Sequence, residues 1–215
     1  MEILQAVLDF FLHFDAHLAE AITQYGTLTY LILFVIIFCE TGLVVTPFLP
    51  GDSLLFAVGS FAAIGLLNPF VAFFLLVIAA ILGDAVNYST GRVFGTRGFS
   101  ETARFLNIRH IHKTRAYYDK HGAKTIVIAR FLPIVRTFAP FVAGMSGMAY
   151  SRFTAYNVFG AFLWVFTCGL AGYLFGNIPV IQENFSLVVL GIIVVSLLPT
   201  LIAVARARFA PKPVN

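Results

Sequence analysis

The chain has 215 residues; 60% are apolar, only 11% are charged, and 24 are Phe. Soluble domains carry about 45–50% apolar and about 25% charged residues, and a fold of this size cannot hide so much apolar surface from water. An ordinary soluble enzyme, a disordered chain and a nucleic-acid module are excluded, leaving an all-α polytopic membrane protein.

Charge is divided along the chain. Residues 1–91 hold seven acids (Glu2, Asp9, Asp15, Glu20, Glu40, Asp52 and Asp84) and no Lys or Arg, whereas residues 92–215 hold all 14 bases and three acids. In a membrane protein such a split is read as topology. Cys39 and Cys168 lie in apolar runs with no metal or CxxC spacing, and are read as small packing residues. No basic segment precedes the first apolar run, so no cleaved leader is expected.

Residues 3–22 place Ile3, Leu4, Val7, Leu8, Phe11, Phe14, Leu18 and Ile22 near helical spacing, interrupted by Asp9, His13, Asp15, His17 and Glu20. That pattern is too polar to span and predicts an interfacial amphipathic helix over 1–25, ended by Gly26. Residues 28–66 hold two short apolar pieces around Thr46-Pro47-Phe-Leu-Pro50-Gly51-Asp52. Two prolines and a glycine cannot continue a helix, and non-helical backbone at membrane depth survives only inside protein or along a wet cavity. The expectation is a re-entrant helical hairpin with its tip at 46–52.

Asn68-Pro69 opens a spanning helix over 69–91, and Gly91-Arg92 begins a basic, cytoplasmic amphipathic stretch over 92–124. Residues 125–149 repeat the broken pattern, with Arg130, Pro133, Arg136, Pro140 and Gly144, and predict a second re-entrant hairpin. Spans over 153–176 and 186–205 and a basic cytoplasmic tail over 206–215 complete one membrane domain with three spans. Each half runs amphipathic helix, Tyr25-Gly26 or His121-Gly122, broken hairpin, span. One span per half makes this an inverted repeat, in which paired broken helices mark a substrate site.

Glu40, Asp52, Arg130 and Arg136 lie in or beside the apolar hairpins, where each charge costs about 2.5–3.5 kcal/mol or more. Mutual pairing is the bland account. The sharper one is a substrate or proton pathway, because buried pairs are weak stabilisers. Arg130 and Arg136 would point about 120° apart on a straight helix, and a break at Pro133 can turn both toward one cavity. Arginine grips phosphate through a planar fork, which suits an anionic lipid headgroup. Glu40 and Asp52 are the proton-coupling or counter-charge candidates. Pro50, Gly51, Pro140 and Gly144 support the hairpins, and N–H groups near Gly51 and Gly144 are candidates to help hold an anion. Asp84, Asn87 and Tyr88 share one helix face and suit either a structural network or substrate contact. Trp164 is read as packing. There is no GxSxG, HExxH or P-loop lysine, so no enzyme activity, cofactor or metal site is expected.

The pieces Phe48-Leu-Pro-Gly-Asp-Ser-Leu-Leu55, Gly83-Asp-Ala-Val-Asn-Tyr88 and Arg130-Phe-Leu-Pro-Ile-Val-Arg136-Thr-Phe-Ala-Pro140-Phe-Val-Ala-Gly144 resemble the bacterial DedA family of the SNARE-associated-Golgi/VTT-domain superfamily, over nearly the whole chain. The resemblance implies an inner-membrane protein with two opposed re-entrant hairpins, whose family is implicated in moving undecaprenyl phosphate and whose eukaryotic relatives scramble phospholipids. It places the family's membrane acids on Glu40 and Asp52 and its arginines on Arg130 and Arg136, and implies dependence on protons. The expected function is a lipid flippase or scramblase for undecaprenyl phosphate or a related anionic phospholipid. The alternative is an H+-coupled cation or drug antiporter, and a scaffold without transport is a third class. Expected partners are membrane lipids, protons and a second copy of the chain as homo-oligomer, with no nucleic acid.

Overall fold

The computed structural model describes residues 24–43, 51–97, 122–176 and 178–184, with isolated residues between 187 and 198. The expected amphipathic helix over 1–25 lies almost wholly outside the described residues. So do residues 46–50 of the first hairpin's tip, with Pro50, most of the basic stretch, and the tail, while the last span is described only at isolated residues.

Among the described residues all regular structure is α-helical. The helices are α1 (Leu28–Gly42), α2 (Gly51–Ala63), α3 (Pro69–Arg97), α4 (Lys124–Ala129), α5 (Pro133–Met145), α6 (Tyr150–Phe175) and the short α7 (Pro179–Glu183). Two of them hold stretches long and apolar enough to cross a membrane, Pro69–Phe94 and Tyr150–Phe175, each of 26 residues. At 1.5 Å per residue each reaches about 39 Å, against a hydrocarbon core of about 30 Å. Their outward faces expose Phe70, Phe74, Ile78, Phe159, Phe166 and Leu174, so these helices are apolar towards the surroundings as well as towards the core.

Local chemistry sets the helix ends. The Asn68 Oδ1 accepts from the N–H of Phe70 at 3.1 Å and of Val71 at 3.2 Å, while Pro69 takes the first helical position. The second broken segment interrupts at Arg130–Leu132, where Leu132 is extended, and Pro133 starts α5. Two predicted boundaries move. The third helix does not end at 91 but continues to Arg97: Gly91 is a contact point, since a Cβ there would meet the Phe141 carbonyl. The sixth helix starts at Tyr150 instead of 153.

The halves pack reciprocally. Helix α1 lies on α3 and α4 on α6, while α2 lies on α6 and α5 on α3. Helices α3 and α6 run antiparallel: Asn157 meets Ile81, and further along α6 Phe162 and Phe166 meet Phe73. Helix α2 runs parallel to α6, with Asp52 at Trp164 and Ser60 at Gly172. Helix α5 runs parallel to α3, with Thr137 at Asn87 and Phe141 at Gly91. Each half is therefore a helix–break–helix followed by a long helix, and the two long helices oppose each other.

Glycines mark the repeat. A Cβ at Gly172 would meet the Phe56 carbonyl as one at Gly91 would meet that of Phe141, and Gly59 against Gly169 corresponds to Gly144 against Tyr88. The four left-handed glycines also pair, Gly26 with Gly122 before the broken segments and Gly65 with Gly147 after them. Contact through glycine is how helices approach closely where lipid supplies no hydrophobic drive.

Because backbone cannot yield, Gly172→Val should destabilise the fold by about 1–3 kcal/mol. Nothing lies within 4 Å of a Cβ on Gly169, one turn away, so Gly169→Ala should be neutral or gain up to about 1 kcal/mol of helix propensity. Thermal unfolding of the two variants in detergent checks this; equal melting temperatures would contradict it.

Candidate functional site

The breaks deliver charge to the centre. Glu40 sits in the last turn of α1 and Asp52 in the first turn of α2. Asp84 lies within α3, Arg130 caps α4, and Arg136 occupies the first turn of α5. All five converge. Arg130 Nη2 donates to Asp84 Oδ2 in a close ion pair and to Asn157 Oδ1 at 2.7 Å. Arg136 spreads its fork over two acids, with Nη2 to Glu40 Oε1 in a close pair and Nη1 to Asp52 Oδ1 at 3.0 Å. The Gly51 N–H, at the start of α2, also donates to Glu40 Oε1 at 3.0 Å. A Cβ at residue 51 would collide with that carboxylate, so glycine is what lets Glu40 approach the helix terminus, a favourable place for an anion.

Trp164 stands between the arginines. Its ring centroid lies 4.8 Å from the Arg136 guanidinium carbon and 5.7 Å from that of Arg130, and its Nε1–H donates to Asp52 Oδ1 at 2.6 Å. Of the aromatic rings, indole is the best partner for a cation over its face. Asn157 is held in turn by donation to the Ile81 carbonyl at 3.1 Å.

Burial is graded. Glu40 is 1% exposed, whereas the Asp52 side chain is 19% exposed, which makes Asp52 the group reached first from outside. The residues enclose a cavity of about 10 Å³ lined by Thr41, Asp84, Ile126, Arg130, Arg136, Pro140 and Trp164, room for about one water. Several buried polar atoms there have no partner: Glu40 Oε2, Arg130 Nη1 and Arg136 Nε. Three acids face two bases, so the fully ionised cluster carries one net negative charge.

The sequence-predicted residues thus divide. Glu40, Asp52, Asp84, Arg130 and Arg136 come together, and Pro140 lines their cavity. Asn87 and Tyr88 act as ties instead: Asn87 Nδ2 donates to the carbonyls of Thr41 at 3.1 Å and Thr137 at 2.8 Å, and the Tyr88 hydroxyl donates to that of Met148. Pro133 starts α5, and Pro50 lies outside the described residues. The N–H of Gly51 is taken by the Glu40 carboxylate, and Gly144 packs against Tyr88. Trp164, read from sequence as packing, is at the centre, and Asn157 was not singled out at all. The signal lay in α6, where Asn157, Gly160, Ala161 and Trp164 form one i, i+3, i+4, i+7 face, buried throughout. Among the described residues no group of three or more His, Cys, Asp or Glu could hold a metal ion.

Removing one member of a buried pair strands the other, at about 3–5 kcal/mol, whereas replacing both by apolar groups is often neutral. Arg130→Met should therefore lower stability by about that amount, and Arg130→Met combined with Asp84→Leu should recover most of it. Thermal unfolding of the single and double variants checks this; additive losses would show that Asp84 and Arg130 do not depend on each other.

The VTT domain family matches residues 49–174. Protein DedA of Escherichia coli (strain K12) is 54% identical over 213 residues, covering 98% of this chain and 97% of that one. An uncharacterized membrane protein of Mycobacterium leprae (strain TN) is 43% identical over 170 residues, 79% of this chain and 76% of its own. Inner membrane protein YqjA of Escherichia coli (strain K12) is 40% identical over 152 residues, 70% and 69% of the two chains. No solved structure matches.

Proposed function

The chain belongs to the DedA family of VTT-domain membrane proteins, and from that premise we propose that it is an inner-membrane translocase for the phosphate headgroup of an anionic lipid, undecaprenyl phosphate or a related phospholipid, with the tail remaining in the bilayer. The two helix–break–helix units enter and leave the membrane on the same side, from opposite faces, and α3 and α6 span it with a third span over 186–205. The C-terminal tail lies in the cytoplasm, where its basic residues favour it.

The observation that carries this reading is a pair of arginines, both buried, sharing one small cavity and each keeping an unpartnered guanidinium N–H. Such donors match a phosphate, which accepts from several directions. The cavity of about 10 Å³ is too small for that headgroup, so this is a closed state and loading requires the ion pairs to part. The headgroup enters past Asp52 and replaces carboxylates on Arg136 and Arg130. Glu40 and Asp84 then lose their cations while still shielded from water, and unpaired buried carboxylates take up protons. Anion binding and proton binding therefore favour each other, and by reciprocity a proton gradient biases the exchange. No step makes or breaks a covalent bond.

H+-coupled cation antiport is the second reading, and the surplus acid favours it: three carboxylates against two guanidiniums would admit a cation after one proton leaves. Proteoliposomes carrying labelled undecaprenyl phosphate separate the two. The translocase should exchange the lipid between leaflets, faster as pH falls. Arg136→Lys keeps the charge but cannot span Glu40 and Asp52 together, and should slow exchange about 10-fold or more, the worth of one charged hydrogen bond. The Arg130→Met/Asp84→Leu variant should be folded yet inactive. Exchange unaffected in both would remove the arginines from the pathway. Cation-driven proton flux that depends on Asp52, with no lipid exchange, would establish the antiporter.

A further inference from the structure

One oxygen in the cluster already sits where an anionic ligand oxygen would sit. Asp52 Oδ1 accepts both from Arg136 Nη1 at 3.0 Å and from Trp164 Nε1 at 2.6 Å. Its carboxylate is the most exposed of the three acids, the other two being buried, and hence the easiest to displace. The indole itself is wholly buried and held by cation contacts to both arginines. Its N–H can donate but not accept, so it needs an acceptor in every state of the site. When Asp52 leaves, an anionic ligand oxygen can restore both bonds at once and also replace the negative charge facing Arg136. Arg136 Nε and Arg130 Nη1, buried and unpartnered, stand ready for further oxygens of the same group.

We propose that Trp164 is a headgroup-binding residue: its indole N–H, together with Arg136, forms a clasp that passes from the Asp52 carboxylate to an oxygen of a phosphate monoester. This rests on the phosphate-lipid reading above and adds to it a third donor and a defined exchange partner. It also assigns the ligand's charge class at this point. A zwitterionic phosphodiester brings its own cation beside the arginines and is the poorer fit. A dianionic phosphate end is the better one.

The chain has one tryptophan, so its intrinsic emission reports this indole alone. The full-length protein in detergent is titrated with dihexanoyl phosphatidic acid, and separately with dihexanoyl phosphatidylcholine of the same chain length. The expected result is a saturable change of tryptophan emission with phosphatidic acid and none with phosphatidylcholine. Inorganic phosphate, as a third titrant, separates recognition of the free anion from recognition of a lipid-borne one: a change at similar concentration assigns the clasp to phosphate as such. In proteoliposomes, Trp164→Phe keeps the ring over the arginines and deletes the N–H, and should slow exchange of labelled undecaprenyl phosphate about 10-fold.

Emission that stays constant while phosphatidic acid saturates competition for exchange, together with wild-type exchange in Trp164→Phe, overturns the clasp and leaves the arginine pathway standing. Absence of exchange with any anionic lipid overturns the translocase reading, and the emission titration then judges the clasp alone. Should Trp164→Phe fail to fold, the wild-type titration decides, since it needs no variant.

Discussion

The molecule is organised around ionic bonds made where ions are expensive. Arg130 is bound to Asp84, and Arg136 to Glu40 and Asp52. Every one of these pairs joins an acid from the first half of the chain to a base from the second. The uneven distribution of charge along the sequence thus has two origins. Part of it is the topology signal read from the sequence, but the part carried by the buried array is a division of labour between halves that must find each other. Neither half could be buried alone without stranding its charges at several kcal/mol per ion. An apolar replacement of the whole array would serve stability as well or better, so the persistence of charge points to use.

The scaffold that holds the array is close to symmetric, while the array is not. Helices α3 and α6 correspond at a spacing of 81 residues, matching Gly91 to Gly172 and Tyr88 to Gly169, and both pairs meet the backbone of the partner half in the same way. At that spacing Trp164 corresponds to Gly83 and Val165 to Asp84. On the first side the absence of a side chain at Gly83 lets Thr41 close against α3, since any Cβ there would strike the Thr41 hydroxyl. On the second side the indole fills the space and supplies a ring and a donor. A near-twofold frame gives two similar packings for the broken helices, the arrangement that the proposed translocase would use to expose one site alternately. Breaking the symmetry only at the centre leaves a single site with a defined chemistry.

The broken helices were legible because proline and glycine act through local backbone rules that need no tertiary context. The four charges in apolar runs were legible because their cost is local too. Asp84 was harder to place: on the face it shares with Asn87 and Tyr88 it suits a structural network as well as substrate contact, and only the fold brings Arg130 to it across 46 residues. Gly91 shows the reverse error, where a residue that often stops helices is instead a close approach to Phe141. Trp164 was hidden by its surroundings, because a large aromatic in a spanning helix has packing as its ordinary meaning. Its indole N–H was the overlooked fact. Buried donors need acceptors, and an apolar run offers none, so a tryptophan in mid-span predicts a polar partner from elsewhere.

The size of the central cavity then constrains how the site works. Space for about one water beside two unpartnered guanidinium N–H groups describes a closed site; in the translocase we propose, the chain's own carboxylates occupy the positions of the headgroup's oxygens. For the proposed translocase such self-occupancy would suppress leak, because an empty open site would expose uncompensated arginines to lipid and the closed one does not. It also sets the opening condition. In that proposal cargo has to offer anionic oxygens to Arg136 and Trp164 as Asp52 withdraws, so ligands with no such oxygen cannot restore the lost bonds. Selectivity in the proposed translocase would come from competition between an internal and an external anion for the same donors, with no need of a pocket shaped to the tail.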